Sequence, residues 1–260
     1  MNSQHVVQAD ASLAHSSLSS IELSVVIPTY NERANILPLL AGLARALEGV
    51  EWEVIFVDDN SPDGTAERIR DVALSNPRVR ILTRIGRRGL SSACIQGTLA
   101  TSSPYIAVMD ADLQHDESAL MSMFERIKSE DLDIVVGSRI MPGGSMGELS
   151  RRRALLSAAG SRISRLVCHC DISDPMSGFF VLRRDFWQEV IHRLTGKGFK
   201  LLLDVLASSS RRVRLAEVPY RFRQRQWGES KLDLRVELAY VYLLADKLVG
   251  TKLSKLGITE

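Results

Sequence analysis

Apolar residues occur along this chain in short runs, each stopped by polar or turn-forming residues. Leu23-Ser24-Val25-Val26-Ile27 is a β-branched run ended by Pro28 and reads as a buried strand. Trp52 to Val57 is a second run, Val79 to Leu82 a third, Tyr105 to Met109 a fourth and Ile134-Val135-Val136 a fifth. Between them the pattern changes to helical spacing. It predicts helices over 32–47 with Asn31 as N-cap, over 65–75 after an Asp63-Gly64 turn, over 91–101 and over 116–129. Strands alternating with helices of this length predict an α/β fold, with a mostly parallel central sheet flanked by helices and wound by right-handed crossovers.

After residue 139 the rhythm breaks. Pro142-Gly143-Gly144 is a flexible link, and 150–167 reads as a basic amphipathic helix. Its Ala154, Leu155, Ala158, Ile163 and Leu166 lie against Arg151, Arg152, Arg153, Arg162 and Arg165. Phe179 to Leu182 and Val213 to Val218 are candidate strands, and 234–249 reads as helical. The division this suggests is a flexible tail over 1–20, one catalytic domain over 21–235 and an amphipathic C-terminal helix over 236–260.

Composition changes little: 260 residues, 45% apolar and 25% charged, suit one α/β domain. Charge distribution changes more. Residues 1–138 carry a net charge of −8 and residues 139–260 a net of +10. An acidic half suits a metal, and a basic half suits an anionic ligand or membrane surface. Three cysteines cannot build a disulfide framework, which points to a reducing compartment. Cys168-His169-Cys170 lacks a second ligand pair at zinc spacing and reads as buried residues at a helix end. No run approaches the length of a membrane span, and the first 20 residues lack the features of a secretory signal.

The candidate chemistry lies where predicted strands end. In a parallel sheet that is the ligand-binding edge. Three polar clusters fall there: Pro28-Thr29-Tyr30-Asn31-Glu32, Asp58-Asp59-Asn60-Ser61 and Asp110-Ala111-Asp112. Two carboxylates at i and i+2 after a strand are a pair of hard oxygen ligands, suited to Mg²⁺ or Mn²⁺ with positions left open for a diphosphate. Tyr30 offers a face for a base or ribose, and Glu32 and Asp59 can accept hydrogen bonds from a nucleoside. Asp58 reads either as a ligand or as a turn residue. Neither a Gly-x-Gly-x-x-Gly fingerprint nor a Walker-type loop is present, so phosphates must be met by metal and arginine.

These blocks, with Gly137-Ser138-Arg139, resemble the catalytic domain of family 2 glycosyltransferases. Asp174-Pro175-Met176-Ser177-Gly178-Phe179-Phe180, Pro219-Tyr220-Arg221-Phe222 and Arg225-Gln226-Trp227-Gly228-Glu229-Ser230-Lys231-Leu232 narrow the resemblance to the dolichol-phosphate mannose synthases and their polyprenyl-phosphate relatives. It extends over about residues 22–235. It implies a GT-A (Rossmann-like) fold and an inverting transfer of a sugar, mannose from GDP-mannose, to a polyprenyl or dolichyl phosphate; a UDP-sugar such as UDP-glucose is the alternative donor. By resemblance, Pro28, Tyr30, Glu32, Val57, Asp59 and Ala111 line the nucleotide pocket, and Arg225 and Lys231 close on the diphosphate. Asp110, Asp112 and Gln114 hold Mg²⁺ or Mn²⁺. Arg139, Arg153 and Ser157 bind the acceptor phosphate.

One departure stands out. Where the family often shows Gly-Leu-Gly-x-Ala, this chain has Gly89-Leu90-Ser91-Ser92-Ala93, with Ser91 in place of a glycine. The acceptor is already an anion, so no strong general base is required, and His115 is expected to be structural. The acceptor's prenyl chain implies action at a membrane, as a peripheral protein on the cytoplasmic face. The membrane contact would come from amphipathic helices, a small membrane subunit or a membrane segment beyond this sequence. Nothing points to nucleic acid. A haloacid-dehalogenase-type phosphatase also has Asp-x-Asp after a strand. That motif usually opens the fold and continues with Thr or Val, whereas here Leu113 follows and two strand-end clusters come first. A non-catalytic nucleotide-binding protein is the third reading.

Overall fold

A computed structural model describes residues 20–145, 168 and 170–224. The predicted helices at 150–167 and 234–249, the tail over 1–19, Arg153, Ser157, Arg225 and Lys231 lie outside the described residues.

Seven strands form one sheet in the order β3-β2-β1-β4-β6-β5-β7. They are β1 (Leu23–Thr29), β2 (Trp52–Asp58), β3 (Val79–Thr83), β4 (Tyr105–Val108), β5 (Ile134–Ser138), β6 (Phe180–Arg183) and β7 (Leu215–Pro219). Helices α1 (Ile36–Ala46), α2 (Thr65–Ala73) and α4 (Ala119–Ser129) cover one face. The other carries α3 (Leu90–Leu99), α5 (Arg184–Val190) and α6 (Leu201–Ser208). Side chains alternate between these two cores as strand geometry requires: Val25 and Ile27 join one, Val26 the other. Both faces of the sheet are covered, which is why its strands read as continuous apolar runs rather than as alternation.

Chain order runs outward from β1 to β3, then returns to place β4 on β1's other side. The switch point lies between β1 and β4, and there the crevice at the carboxyl edge opens. Pro28 shows how local sequence serves that opening. The β1–β4 ladder ends at Val26↔Val108, while β1–β2 pairing continues to Thr29↔Asp58. Met109 N–H reaches Val26 O on the β4 side and Asp59 N–H reaches Thr29 O on the β2 side. Strand alternation therefore turns Pro28 toward the side where the ladder has already stopped. Its missing donor costs no hydrogen bond there.

Three expectations are corrected. Helix α1 begins at Ile36 with Asn35 in the cap position, four residues after the predicted start. Asn31 is not a cap but a left-handed turn residue at φ 58°. The strand predicted at 179–182 runs antiparallel, inserted between β4 and β5. Helices α5 and α6 had no counterpart in the sequence reading. Helix α5 is only seven residues long and buries just Phe186, Trp187 and Val190, too short a run to establish a period, while Leu201-Leu202-Leu203 of α6 is buried throughout, so no amphipathic period marks it.

Candidate active site

The ends of β1 and β2 form one stitched unit. The left-handed turn at Asn31 lets its backbone N–H donate to Ser61 Oγ at 3.0 Å, and Glu32 N–H donates to Thr65 Oγ1 at 2.9 Å. Asn35 Nδ2 donates to Glu32 Oε2 at 2.6 Å, fixing that carboxylate. Asp58 is fully buried and accepts from Thr29 Oγ1, Ser61 Oγ and Ser61 N–H. It is a turn residue, one of the two readings the sequence left open.

Asp59 faces differently. Its Oδ2 accepts from Gly89 N–H at 2.8 Å, and its Oδ1 lies 3.0 Å from Arg84 Nη1. Burial raises its pKa above the ordinary carboxylate value, and Gly89 and Arg84 offset only part of that. Arg84 in turn donates to Gly89 O and Ser92 Oγ, so the end of β2 is bound to the N-terminus of α3. The Arg88 guanidinium stacks 4.5 Å from the Tyr30 ring centroid. The structure thus brings Tyr30, Glu32 and Asp59 to one edge and adds Arg84 and Arg88, which the sequence reading missed.

The acidic triplet follows β4. Leu113 is left-handed at φ 61°, turning the chain so that Asp112 Oδ1 accepts Gln114 N–H at 3.1 Å. Asp112 is 7% exposed, whereas the Asp110 side chain is 36% exposed. Gly178 approaches from the opposite side. A Cβ there would lie 3.2 Å from Asp110 Oδ2 and 3.4 Å from His115 Cε1, so a side chain would crowd the carboxylate. Gln114 Nε2 donates to Arg223 O at 3.2 Å, and Arg223 N–H donates to Gln114 O at 2.8 Å. Arg223 also bridges to Asp116 and Glu117, both at 2.6 Å.

His115 is buried beneath the triplet, stacked on Phe179 at 5.2 Å with Tyr220 edge-on at 5.7 Å. Burial pushes its pKa down to about 4. Its Nδ1 accepts Asp110 N–H at 3.1 Å, a bond that requires the proton to be on Nε2. A neutral ring so held supports the triplet's backbone and is no base.

Arg139, just past β5, completes the described edge. Its Nε and Nη2 bind both oxygens of Asp174 at 2.7 and 2.9 Å. Its guanidinium lies 5.4 Å from the Phe222 ring centroid. Burial opposes its charge, but Asp174 outweighs burial and holds Arg139 above the ordinary arginine value. Asp174 is fully buried, and its backbone N–H is held by Glu217, which also binds Ser173. Nη1 of Arg139 makes no hydrogen bond among the described residues. Asp174, the partner that orients Arg139, was not singled out from sequence; a fully buried aspartate resembles any other in one chain.

The donor set of the triplet fits a divalent cation. Among the described residues no group of three or more His, Cys, Asp and Glu gathers at a metal-binding distance. Two carboxylates with an amide alongside are the pattern for an ion that takes its remaining ligands from water and substrate phosphates.

An acidic edge facing cations, at the switch point of a doubly wound sheet with no glycine-rich phosphate loop, describes a nucleotide-sugar enzyme more closely than a dinucleotide one. The comparisons agree. Residues 24–191 match the model of glycosyl transferase family 2, and the chain belongs to that family. It is 38% identical over 223 residues to a dolichol-phosphate mannosyltransferase of Pyrococcus furiosus, covering 85% of this chain and 62% of that protein's length. It is 36% identical to the dolichol-phosphate mannosyltransferase of Saccharomyces cerevisiae, over 88% of each chain. Among solved structures it resembles glucosyl-3-phosphoglycerate synthase of Mycobacterium tuberculosis, solved with Mn²⁺, UDP-glucose and glycerol 3-phosphate. The TM-score is 0.60 at 20% identity, covering 92% of this chain and 81% of that one, and it supports a GT-A fold. The chain is a glycosyltransferase.

Proposed function

We propose that this chain transfers mannose from GDP-mannose to a polyprenyl phosphate such as dolichyl phosphate, with inversion and with Mg²⁺ or Mn²⁺ bound. The supporting observation is the pairing of an acidic triplet with Arg139 at an edge where His115 is neutral and buried. Such a site suits an acceptor that arrives already ionised. The mannosyl and polyprenyl parts of the reading come from the relatives' names.

In this reading Pro28, Tyr30, Glu32, Val57, Asp59 and Ala111 hold the nucleoside, and Asp110, Asp112 and Gln114 hold the ion. The cation would supply Lewis-acid stabilisation to the departing diphosphate. Arg139, locked by Asp174, presents Nη1 to the acceptor phosphate, with Arg153 and Ser157 as its partners. Arginine suits this because its planar fork orients a phosphate rather than merely attracting it. A phosphate oxygen then attacks the anomeric carbon from the face opposite the diphosphate. Arg225 and Lys231 close over the donor. Among the described residues no helix is long and apolar enough to cross a membrane. The prenyl chain requires a membrane surface, and we assign the protein to its cytoplasmic face.

The test is a transfer assay with GDP-mannose and a short polyprenyl phosphate, with and without Mn²⁺, alongside binding of GDP and UDP. Metal-dependent formation of a mannosyl phospholipid is expected. Tighter binding of UDP would replace the donor, and rapid hydrolysis of a generic phosphate ester would replace the reaction.

A further inference from the structure

Ser91 stands where related sequences often carry glycine, and in this fold it has a specific partner. Its Oγ donates to Gly198 O at 2.9 Å, and its backbone N–H reaches the same oxygen at 3.3 Å. The side chain is fully buried. Gly198 belongs to the Thr195–Lys200 loop, which precedes α6. The other end of that loop is tied as well: Thr195 donates through N–H and Oγ1 to Asp204 Oδ2 at 2.8 and 2.7 Å. Gly196 and Gly198 are left-handed, at φ 63° and 78°, and allow the tight path between the two ties. A Cβ on Gly196 would sit 3.5 Å from Ile95, so the loop lies on α3.

Lys200 ends this loop. It is half-buried, and its ammonium has no hydrogen bond or ion pair among the described residues. Arg139, Asp174 and Asp110 are the charged groups whose fields reach it, so Lys200 stands within electrostatic reach of the acceptor arginine and the triplet. Burial and the Arg139 cation together outweigh Asp174 and Asp110 and disfavour its charge, a penalty that an entering anion relieves.

We propose that Ser91 is a positioning residue for the transfer reaction: by clamping Gly198 it fixes the loop that ends at Lys200 and so holds that cation within reach of the phosphate charge that changes during transfer. The proposal rests on the transfer reading above and deepens it. The clamp itself can be tested without turnover.

The experiment uses the full chain with Ser91→Ala, Lys200→Met and the double variant. The first measurement is acetylation of lysines by an N-hydroxysuccinimide ester, read by mass spectrometry. In the parent, Lys200 should react more slowly than exposed Lys197; Ser91→Ala should speed Lys200 several-fold and leave Lys197 unchanged. The second is steady-state transfer. Each single variant should lower kcat about tenfold, the scale of one electrostatic contact at a reacting phosphate, with the donor KM within about twofold. The double variant should be no worse than Lys200→Met alone, because Ser91 acts through Lys200.

Unchanged Lys200 reactivity in Ser91→Ala overturns the clamp. Multiplying losses in the double variant, or a raised donor KM with kcat intact, also overturn it; the latter would mean that Ser91 acts through Gly89 and Asp59. A parent protein without transferase activity defeats the transfer reading, while the acetylation result still decides the clamp.

Discussion

Strand β5 has an arginine–aspartate pair at each end, and the two differ in what they leave over. At its start, buried Asp133 accepts from Arg211 Nη1 and Nη2 at 2.7 and 2.9 Å, and from Arg214 N–H and Nη2, both at 2.8 Å. Glu189 and Asp131 take further donors of those arginines. Anions and cations there satisfy each other, and the group joins β5, α5 and β7 as a clasp. At the strand's other end, Asp174 meets a single arginine. Among the described residues Arg139 keeps Nη1 unbonded and Lys200, within electrostatic reach, has no ion-pair partner, while Asp110 is partly exposed. The chemical groups are alike. Donors left unbonded, rather than residue type, separate the candidate site from the scaffold.

Substitutions at the two ends can break that distinction. The largest effect is expected at the edge where donors are left unbonded. Asp112→Asn should reduce transfer at least about a thousandfold, the scale of losing a principal electrostatic group. Melting temperature and circular dichroism should stay at parental values; near-normal turnover would remove the metal assignment. Asp174→Asn comes next. It leaves Arg139, whose side chain is only 21% exposed, without its counter-ion. A loss of about 3 kcal/mol in urea unfolding is expected, with transfer impaired in the molecules that remain folded. An effect on stability alone would make this pair a second clasp.

Asp133→Asn should be the mildest. Its arginines are 39% and 47% exposed and can turn to water, so the cost is about 2 kcal/mol. Turnover per folded molecule should not change. Its pH dependence sharpens the contrast. Burial works to raise the Asp133 pKa, but Arg211 and Arg214 overcome it and hold the carboxyl well below the ordinary value of 3.8. In that window the unfolded chain binds the extra proton. The pair's contribution is therefore complete above about pH 5 and is lost as pH falls through the ordinary carboxylate value toward the depressed one. Unfolding at pH 7 and pH 3 should differ less in Asp133→Asn than in the parent. An equal difference would assign the acid sensitivity elsewhere.

The sequence carried the first half of the sheet well. Runs such as Val25-Val26-Ile27 and Val54-Ile55-Phe56-Val57 are strands with both faces buried, and the polar residues after them mark the edge. Its limits have physical causes. Nothing local distinguishes an antiparallel Phe180–Arg183 from a parallel one, because orientation is decided by which neighbours remain unpaired. Asn31 and Asn35 are equally good caps by residue type; the left-handed turn at Asn31 is set by Ser61, 30 residues away. The triplet was visible because both carboxylates lie within three positions. Arg139 and Asp174 each lay in a motif, but their pairing was not legible, since Asp174 reaches Arg139 only as the chain returns toward β6, and Lys200 lay in no motif.

The reversed strand has a consequence for how such a protein can diversify. Because β6 runs backward, the chain leaves the sheet after Ser138 and re-enters at Phe180 along the same edge. Everything between those residues is one excursion whose two feet stand at the carboxyl edge of β5. Its length and content can drift without shifting the register of any strand, while the turns after β1 and β2 stay pinned to each other. A lineage built this way can exchange acceptors by rewriting one continuous stretch of gene and keep the same sugar donor.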